Sequence, residues 1–176
     1  MDAANGGGRM RPAGLLEQRY QLGQLLGRGG FGEVWRSFDT RVRREVAVKI
    51  GRPRTPDEAR RFAREARLVG NLSHPHIATL HDYGETEYAG EHVAYLVMEL
   101  VPGAPLDKVI REGIPPFARS LTWAGQICAA LAAAPDQGIG ARGNKTAKGI
   151  ITGPAAGRAK GRWFGGAKQL APAAGP

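Results

Sequence analysis

The residues best suited to chemistry lie in the first half of the chain. Gly27-Arg28-Gly29-Gly30-Phe31-Gly32 carries glycines at a G-x-G-x-x-G spacing, with Gly30 as an extra one. Glycine reaches backbone angles that other residues resist, so such a run lets backbone N–H groups approach an anion closely. Downstream, Lys49 brings a full positive charge on a long stem and Glu65 brings a carboxylate. A glycine turn with a nearby lysine suits a phosphate-bearing ligand. The glycine spacing alone is ambiguous, because it fits a dinucleotide fingerprint, a hairpin covering phosphates or a plain flexible turn.

The elements that must position these residues narrow the choice. Arg19 to Phe38 reads as two extended segments around the glycines, a hairpin with a glycine-rich tip. A dinucleotide fingerprint runs from a strand into a helix, whereas Glu33-Val34-Trp35-Arg36-Ser37-Phe38 continues as strand, which removes that alternative. In Glu45-Val46-Ala47-Val48-Lys49-Ile50 the side chains of Val46, Val48 and Ile50 share one face, and Ala47 and Lys49 share the other. Thr55-Pro56-Asp57-Glu58 predicts a helix start, with Thr55 as N-cap, Pro56 at the first helical position and Glu58 closing a capping box; the helix ends near Gly70-Asn71. Ala59, Phe62, Ala66 and Val69 form its apolar stripe, and Glu65 lies within or beside that stripe, where a carboxylate needs a partner. Arg61, Arg64 and Arg67 are alternative partners, and a solvated surface charge is the bland alternative.

Ile77 to Tyr83 and His92 to Leu100 read as further strands, the second followed by the linker Val101-Pro102-Gly103. The expected fold is therefore α+β, a five-stranded antiparallel sheet with one helix. Beyond the linker, Leu106 to Arg111 predicts a short helix. Leu121, Ala124, Ile127, Cys128 and Leu131 predict the apolar face of a longer one, which Pro135 stops. After Gly138 only Gly149-Ile150-Ile151-Thr152 suggests structure.

With the hairpin and strand in place, the chain resembles bacterial-type (Hanks-type) serine/threonine protein kinases. Gly27-Arg28-Gly29-Gly30-Phe31-Gly32-Glu33-Val34 is similar to the family's glycine-rich loop, and Val46-Ala47-Val48-Lys49 to the strand carrying its phosphate-binding lysine. The resemblance implies an N-lobe followed by the first helices of an incomplete C-lobe, with ATP as ligand. Phe31 would cap the loop, and Lys49 would meet the α- and β-phosphates, held there by Glu65. Leu26 and Val34 would lie above the adenine, Ala47 beside it and Met98 behind it as gatekeeper, with the Glu99 carbonyl and Val101 amide on its edge. These apolar residues could also simply fill a core. His74-Pro75-His76 resembles a structural turn of the family. His74, His76, His81 and His92 lack the cysteine or acidic companions of a metal site, so no metal ligands are assigned.

The resemblance then breaks. Where the family reads approximately H-R-D-x-K-x-x-N, this chain reads Ala141-Arg142-Gly143-Asn144-Lys145-Thr146-Ala147-Lys148. Arg142 and Lys145 match, Gly143 stands at the position of the catalytic base, and Lys148 replaces a metal-binding asparagine. The D-F-G motif survives as Trp163-Phe164-Gly165, so Mg2+, expected for the family, has lost its ligands. The resemblance thus implies a nucleotide-binding pseudokinase with negligible phosphotransfer. The alternatives are an interaction module acting on a partner kinase or its substrate, and a truncated fragment without function.

Composition sets the remaining bounds. The chain has 176 residues and a formal net charge of +9, much of it in the Gly/Ala/Pro-rich tail. A solvated charge run explains that tail better than nucleic-acid binding. Cys128, the single cysteine, excludes an internal disulfide, and its apolar neighbours predict burial. No signal-peptide run or membrane-length apolar stretch is present, so the expectation is a cytoplasmic protein. The expected organisation is a disordered segment 1–17, an ATP-binding lobe 18–101, a linker with the first C-lobe helices 102–137, and a poorly ordered degenerate tail 138–176.

Overall fold

Apolar alternation along one strand places the centre of the molecule. The computed structural model describes residues 14–29, 32–133, 139–140, 149–152, 158–161 and 168–169. In β4 (Arg44–Gly51) every residue from Val46 onward is buried, and β6 (Glu91–Glu99) is buried from Val93 to Met98. A strand buried on both sides needs a cover on each face. One face carries Val46, Val48, Ile50, Val93, Tyr95 and Val97, which pack with Leu16, Tyr20 and Leu22 from the start of the chain. The opposite face carries Ala47, Ala94, Leu96 and Met98, which pack beneath Phe62 and Ala66 of α1 (Pro56–Gly70).

The sheet is antiparallel and six-stranded, in the order β1-β2-β3-β4-β6-β5, with β2 at Tyr20–Gly29, β3 at Gly32–Asp39 and β5 at Leu80–Tyr88. The sixth strand, β1 (Leu15–Leu16), pairs with Gln21 and Tyr20 inside the stretch expected to be disordered. Its reason is Leu16, which is fully buried against the first face of the sheet. Register irregularities in the β2–β3 pairing fall between Leu22 and Leu25 and between Leu25 and Gly27. Such bulges raise local twist and let β2 curl over the core.

Helix α1 begins as its sequence predicts. Thr55 is extended, and its hydroxyl accepts the Glu58 N–H at 3.2 Å. The Glu58 carboxylate, however, accepts from Arg54 N–H at 2.6 Å, one residue before the expected capping-box partner. The stripe is also as expected, with Phe62, Ala66 and Val69 buried and Ala59 half-buried.

Beyond the sheet, α2 (Leu106–Glu112) and α3 (Phe117–Ala133) meet through Leu106, Val109, Trp123 and Ile127. The interior face of α3 is therefore Trp123, Ile127 and Ala130. Of the expected face, Leu121 is 62% exposed, and Cys128 is exposed where burial was predicted. Both stripes are apolar, so helical period could not choose between them; the large indole of Trp123 takes the interior. In the stretch expected to be poorly ordered, β9 (Gly149–Thr152) pairs with β10 (Arg158–Gly161) and with β7 (Ala104–Pro105). A further pair joins β8 (Ile139–Gly140) to β11 (Lys168–Gln169).

A charge network ties the far end of the sheet. The Arg19 guanidinium donates to both Asp39 oxygens, at 3.0 and 2.8 Å, and to Asp82 at 3.1 Å; the Tyr20 hydroxyl donates to Asp82 at 2.6 Å. Asp39 is fully buried, and the Arg19 bonds hold its carboxyl below the usual carboxylate range despite the opposing effect of burial. A depressed native pKa contributes stability that is present above the unfolded value of about 3.9 and lost as pH falls through the native value. Asp39→Asn is accordingly expected to cost about 1–3 kcal/mol at neutral pH, less than a fully buried pair because Arg19 is partly exposed. Urea unfolding of both proteins should show this gap at pH 7 and its closure below about pH 4.

Candidate functional site

Strand register decides where the lysine goes. Lys49 faces Val34 across β3–β4 and Leu96 across β4–β6, and it shares the α1 side of the sheet with Ala47. Its ammonium lies 3.2 Å from Glu65 Oε1, with the two side chains only 5% and 8% exposed. The carboxylate on the apolar stripe of α1 therefore has Lys49 as an ion-pair partner. Burial pulls the Lys49 pKa below the ordinary lysine range, and Glu65 opposes that pull by Coulomb attraction and a hydrogen bond. The Lys49 ammonium also sits 5.2 Å from the Phe62 ring centroid, a distance at which the ring face favours a cation.

The glycine hairpin is set directly beside this pair. Gly27 faces Val34, Arg28 faces Glu33 and Gly29 faces Gly32. Gly32 has φ +115, and a Cβ there would stand 2.0 Å from the Ile50 carbonyl oxygen, so no other residue fits without moving β4. This close approach sets the start of β3 against the strand that carries Lys49. Glu33 braces it through Arg28 at 3.0 Å and Arg52 at 3.6 Å. Gly30 and Phe31, at the tip itself, lie outside the described residues.

Apolar residues adjoin the pair on the same face of the sheet. Ala47 and Met98 face each other across β4–β6, both buried, and Val34 packs on the same cluster. Leu26 is 40% exposed at the outer end of β2. Val101 is buried against Ala78. Glu99 binds back to Thr79, its N–H donating to the Thr79 carbonyl at 2.9 Å and its carboxylate accepting the Thr79 N–H at 3.2 Å. Lys145 and Gly143, together with Arg142, Lys148 and Trp163-Phe164-Gly165, lie outside the described residues. One contact had no signal in the sequence: Lys160, counted there as a solvated tail charge, lies 2.5 Å from Glu99.

A glycine hairpin, a buried ammonium paired with the Glu65 carboxylate and an apolar cluster beside them are the features of a lobe of protein-kinase type. The chain matches the protein kinase domain over residues 20–155, and it belongs to that family. It is 46% identical over 101 residues to the serine/threonine-protein kinase PknA of Mycobacterium tuberculosis (strain ATCC 25618 / H37Rv), covering 55% of this chain and 23% of that protein. To the probable serine/threonine-protein kinase PknB of Corynebacterium glutamicum it is 39% identical over 142 residues, covering 78% of this chain and 22% of the relative. A probable serine/threonine-protein kinase of Streptomyces coelicolor is 43% identical over 101 residues, covering 56% and 15%. The chain thus spans less than a quarter of the length of these relatives. Among the described residues, no group of three or more His, Cys, Asp or Glu could hold a metal ion, and no helix is long and apolar enough to cross a membrane.

The ion pair itself is testable. Glu65→Gln leaves the buried Lys49 charge without its carboxylate and should cost about 3 kcal/mol in denaturant unfolding. The double replacement Lys49→Met/Glu65→Leu removes both charges at similar volume and should recover most of that loss.

Proposed function

We propose that this lobe binds ATP and transfers its terminal phosphate negligibly. The observation that carries the binding half is the buried Lys49–Glu65 pair beneath a hairpin that Gly32 alone allows to approach β4. In this reading the backbone of Gly27, Arg28, Gly29, Gly30, Phe31 and Gly32 covers the triphosphate. Lys49 meets the α- and β-phosphate oxygens, and Glu65 keeps its ammonium from folding back. The adenine lies between Leu26 and Val34 on one side and Ala47 on the other, with Met98 closing the back. Its edge bonds the Glu99 carbonyl and the Val101 N–H.

The catalytic half rests on residue chemistry. Gly143 cannot accept the proton of a hydroxyl nucleophile, and a positioned base contributes about 10²–10⁴ in rate. Mg2+ takes hard oxygen ligands, whereas the two positions matching the family's metal ligands carry the ammonium of Lys148 and the indole of Trp163. These groups do not suit the ion. Lys145 remains as a cation that could face the phosphoryl group, but a charge alone supplies neither the base nor the metal. A turnover of about 1–100 per second, ordinary for kinases, falls by several decades under such losses.

Thermal unfolding with and without ATP tests the proposal, because a ligand that binds only the native state raises its stability. ATP at about 100 times its Kd should add about 2.7 kcal/mol, equally with and without Mg2+. The charge-free Lys49→Met/Glu65→Leu protein should show no such gain. A transition unmoved by ATP at millimolar concentration sinks the binding half, and phosphate transfer to a protein acceptor at kinase-like rates sinks the other.

A second reading, control of another kinase by contact, draws on the exposed side of α3, where Phe117 is 83% and Leu121 62% exposed. It predicts that stoichiometric addition of this protein changes the rate of a partner kinase, and that Phe117→Ser/Leu121→Ser abolishes the change.

A further inference from the structure

The hairpin after α3 reaches the linker at which the adenine edge is proposed to bind. Lys160 Nζ, on β10, lies 2.5 Å from Oε1 of Glu99, the last residue of β6, across a sequence separation of 61. The other oxygen of Glu99 accepts the Thr79 N–H at 3.2 Å. Each oxygen therefore has its own partner, one just before β5 and one in the hairpin. Both side chains are partly buried, 23% exposed for Lys160 and 30% for Glu99.

Backbone pairing fixes where Lys160 sits. Its strand pairs with β9, placing Lys160 opposite Ile150, and Ile150 is in turn opposite Pro105 of β7, shortly after the linker. β10 also packs against α3, and α2 packs against β9. The linker contains Gly103 at φ 132, a conformation open to glycine and a natural pivot. Residues 99–101 are thus held on one side by the Thr79 bonds and on the other by an ion pair from beyond the pivot.

We propose that Lys160 is a positioning residue for the nucleobase: by holding the Glu99 carboxylate it sets the orientation of the Glu99–Val101 backbone that meets the adenine edge. The inference rests on the ATP-binding proposal above and deepens it. The hairpin β9–β10, from the part of the chain where the family motifs fail, then belongs to the base-recognition end of the site. Lys49 and the glycine hairpin act on the phosphates through a separate part of the sheet, so the two ends respond differently to loss of Lys160.

That difference supplies the test. Binding of ATP and of inorganic tripolyphosphate, which has no base, is measured by calorimetry for the wild type, Lys160→Met, Lys160→Arg, Glu99→Gln and the Lys160→Met/Glu99→Gln double variant. Lys160→Met should weaken ATP about 5–10-fold, at the low end of ordinary coupling between sites. It should leave tripolyphosphate unchanged, and Lys160→Arg should restore most of the loss. Lys160→Met and Glu99→Gln should not add in the double variant, as residues acting through one contact do not. Unchanged ATP affinity in Lys160→Met, or equal weakening of ATP and tripolyphosphate, overturns the proposal. Amide hydrogen exchange without nucleotide separates its failure from that of the ATP proposal. If the wild type binds no ATP, the ATP proposal fails by itself. Faster exchange at Thr79, Glu99 and Val101 in Lys160→Met then supports the linker contact, and unchanged exchange there overturns it.

Discussion

One buried ion pair constrains most of this structure. Lys49 and Glu65 come from a central strand and from the helix above it, and both are almost fully shielded from water. An ammonium or a carboxylate alone in that place would be strongly unfavourable, so sheet and helix must keep their spacing for either charge to be tolerated. Several local features follow from this. Gly51 has no side chain where Phe62 descends, a built Cβ there meeting the ring at 2.6 Å. Ala47, Ala66 and Ala94 are small where strand and helix approach. The cap formed by Thr55 and Glu58 sets where the helix starts, and hence which of its turns brings Glu65 over β4.

The same pair gives the lobe its chemistry. An ammonium held on one face of an apolar sheet, near a hairpin of glycines, is a group that suits a phosphate. Burial lowers the tendency of Lys49 to stay protonated, and Glu65 counters it. The site and the stability of the lobe are therefore one problem in electrostatics. A ligand that brings more negative charge joins an arrangement in which the positive charge is already placed and already compensated.

The far side of the molecule shows the same reasoning with a different outcome. Arg19, Asp39, Asp82 and Tyr20 form a network at the opposite end of the sheet from Gly29 and Gly32, where it joins the start of β2 to the end of β3 and the start of β5. Its Tyr20 belongs to the core on the first face of the sheet, and its effect is to close the curl that covers that face. Below the linker, β9 and β10 add to the strand that follows it. Among the described residues, the C-terminal segment thus pairs by backbone with Ala104–Pro105 just past the linker and reaches the lobe before Gly103 through the Lys160–Glu99 contact.

The amino-acid sequence by itself determined the local elements and much of the candidate site. Alternation in Val46–Ile50 separated Lys49 from the aliphatic side chains, the Thr55 cap and apolar stripe set the helix, and glycine spacing followed by a strand marked the hairpin. These are short-range signals, each carried by residues within a turn or a strand of one another. The choice of Lys49 over Arg61, Arg64 or Arg67 as a partner of Glu65 needed the register of β4 against α1. The burial of Leu16, the interior position of Trp123 in place of Leu121 and Cys128, and the reach of Lys160 to Glu99 were decided only by tertiary structure. Sequence reading put Leu16 in a disordered end, Leu121 and Cys128 on the apolar face of their helix, and Lys160 in a solvated tail. Their contacts join segments far apart in sequence, and no periodicity within a segment encodes which distant surface it will meet.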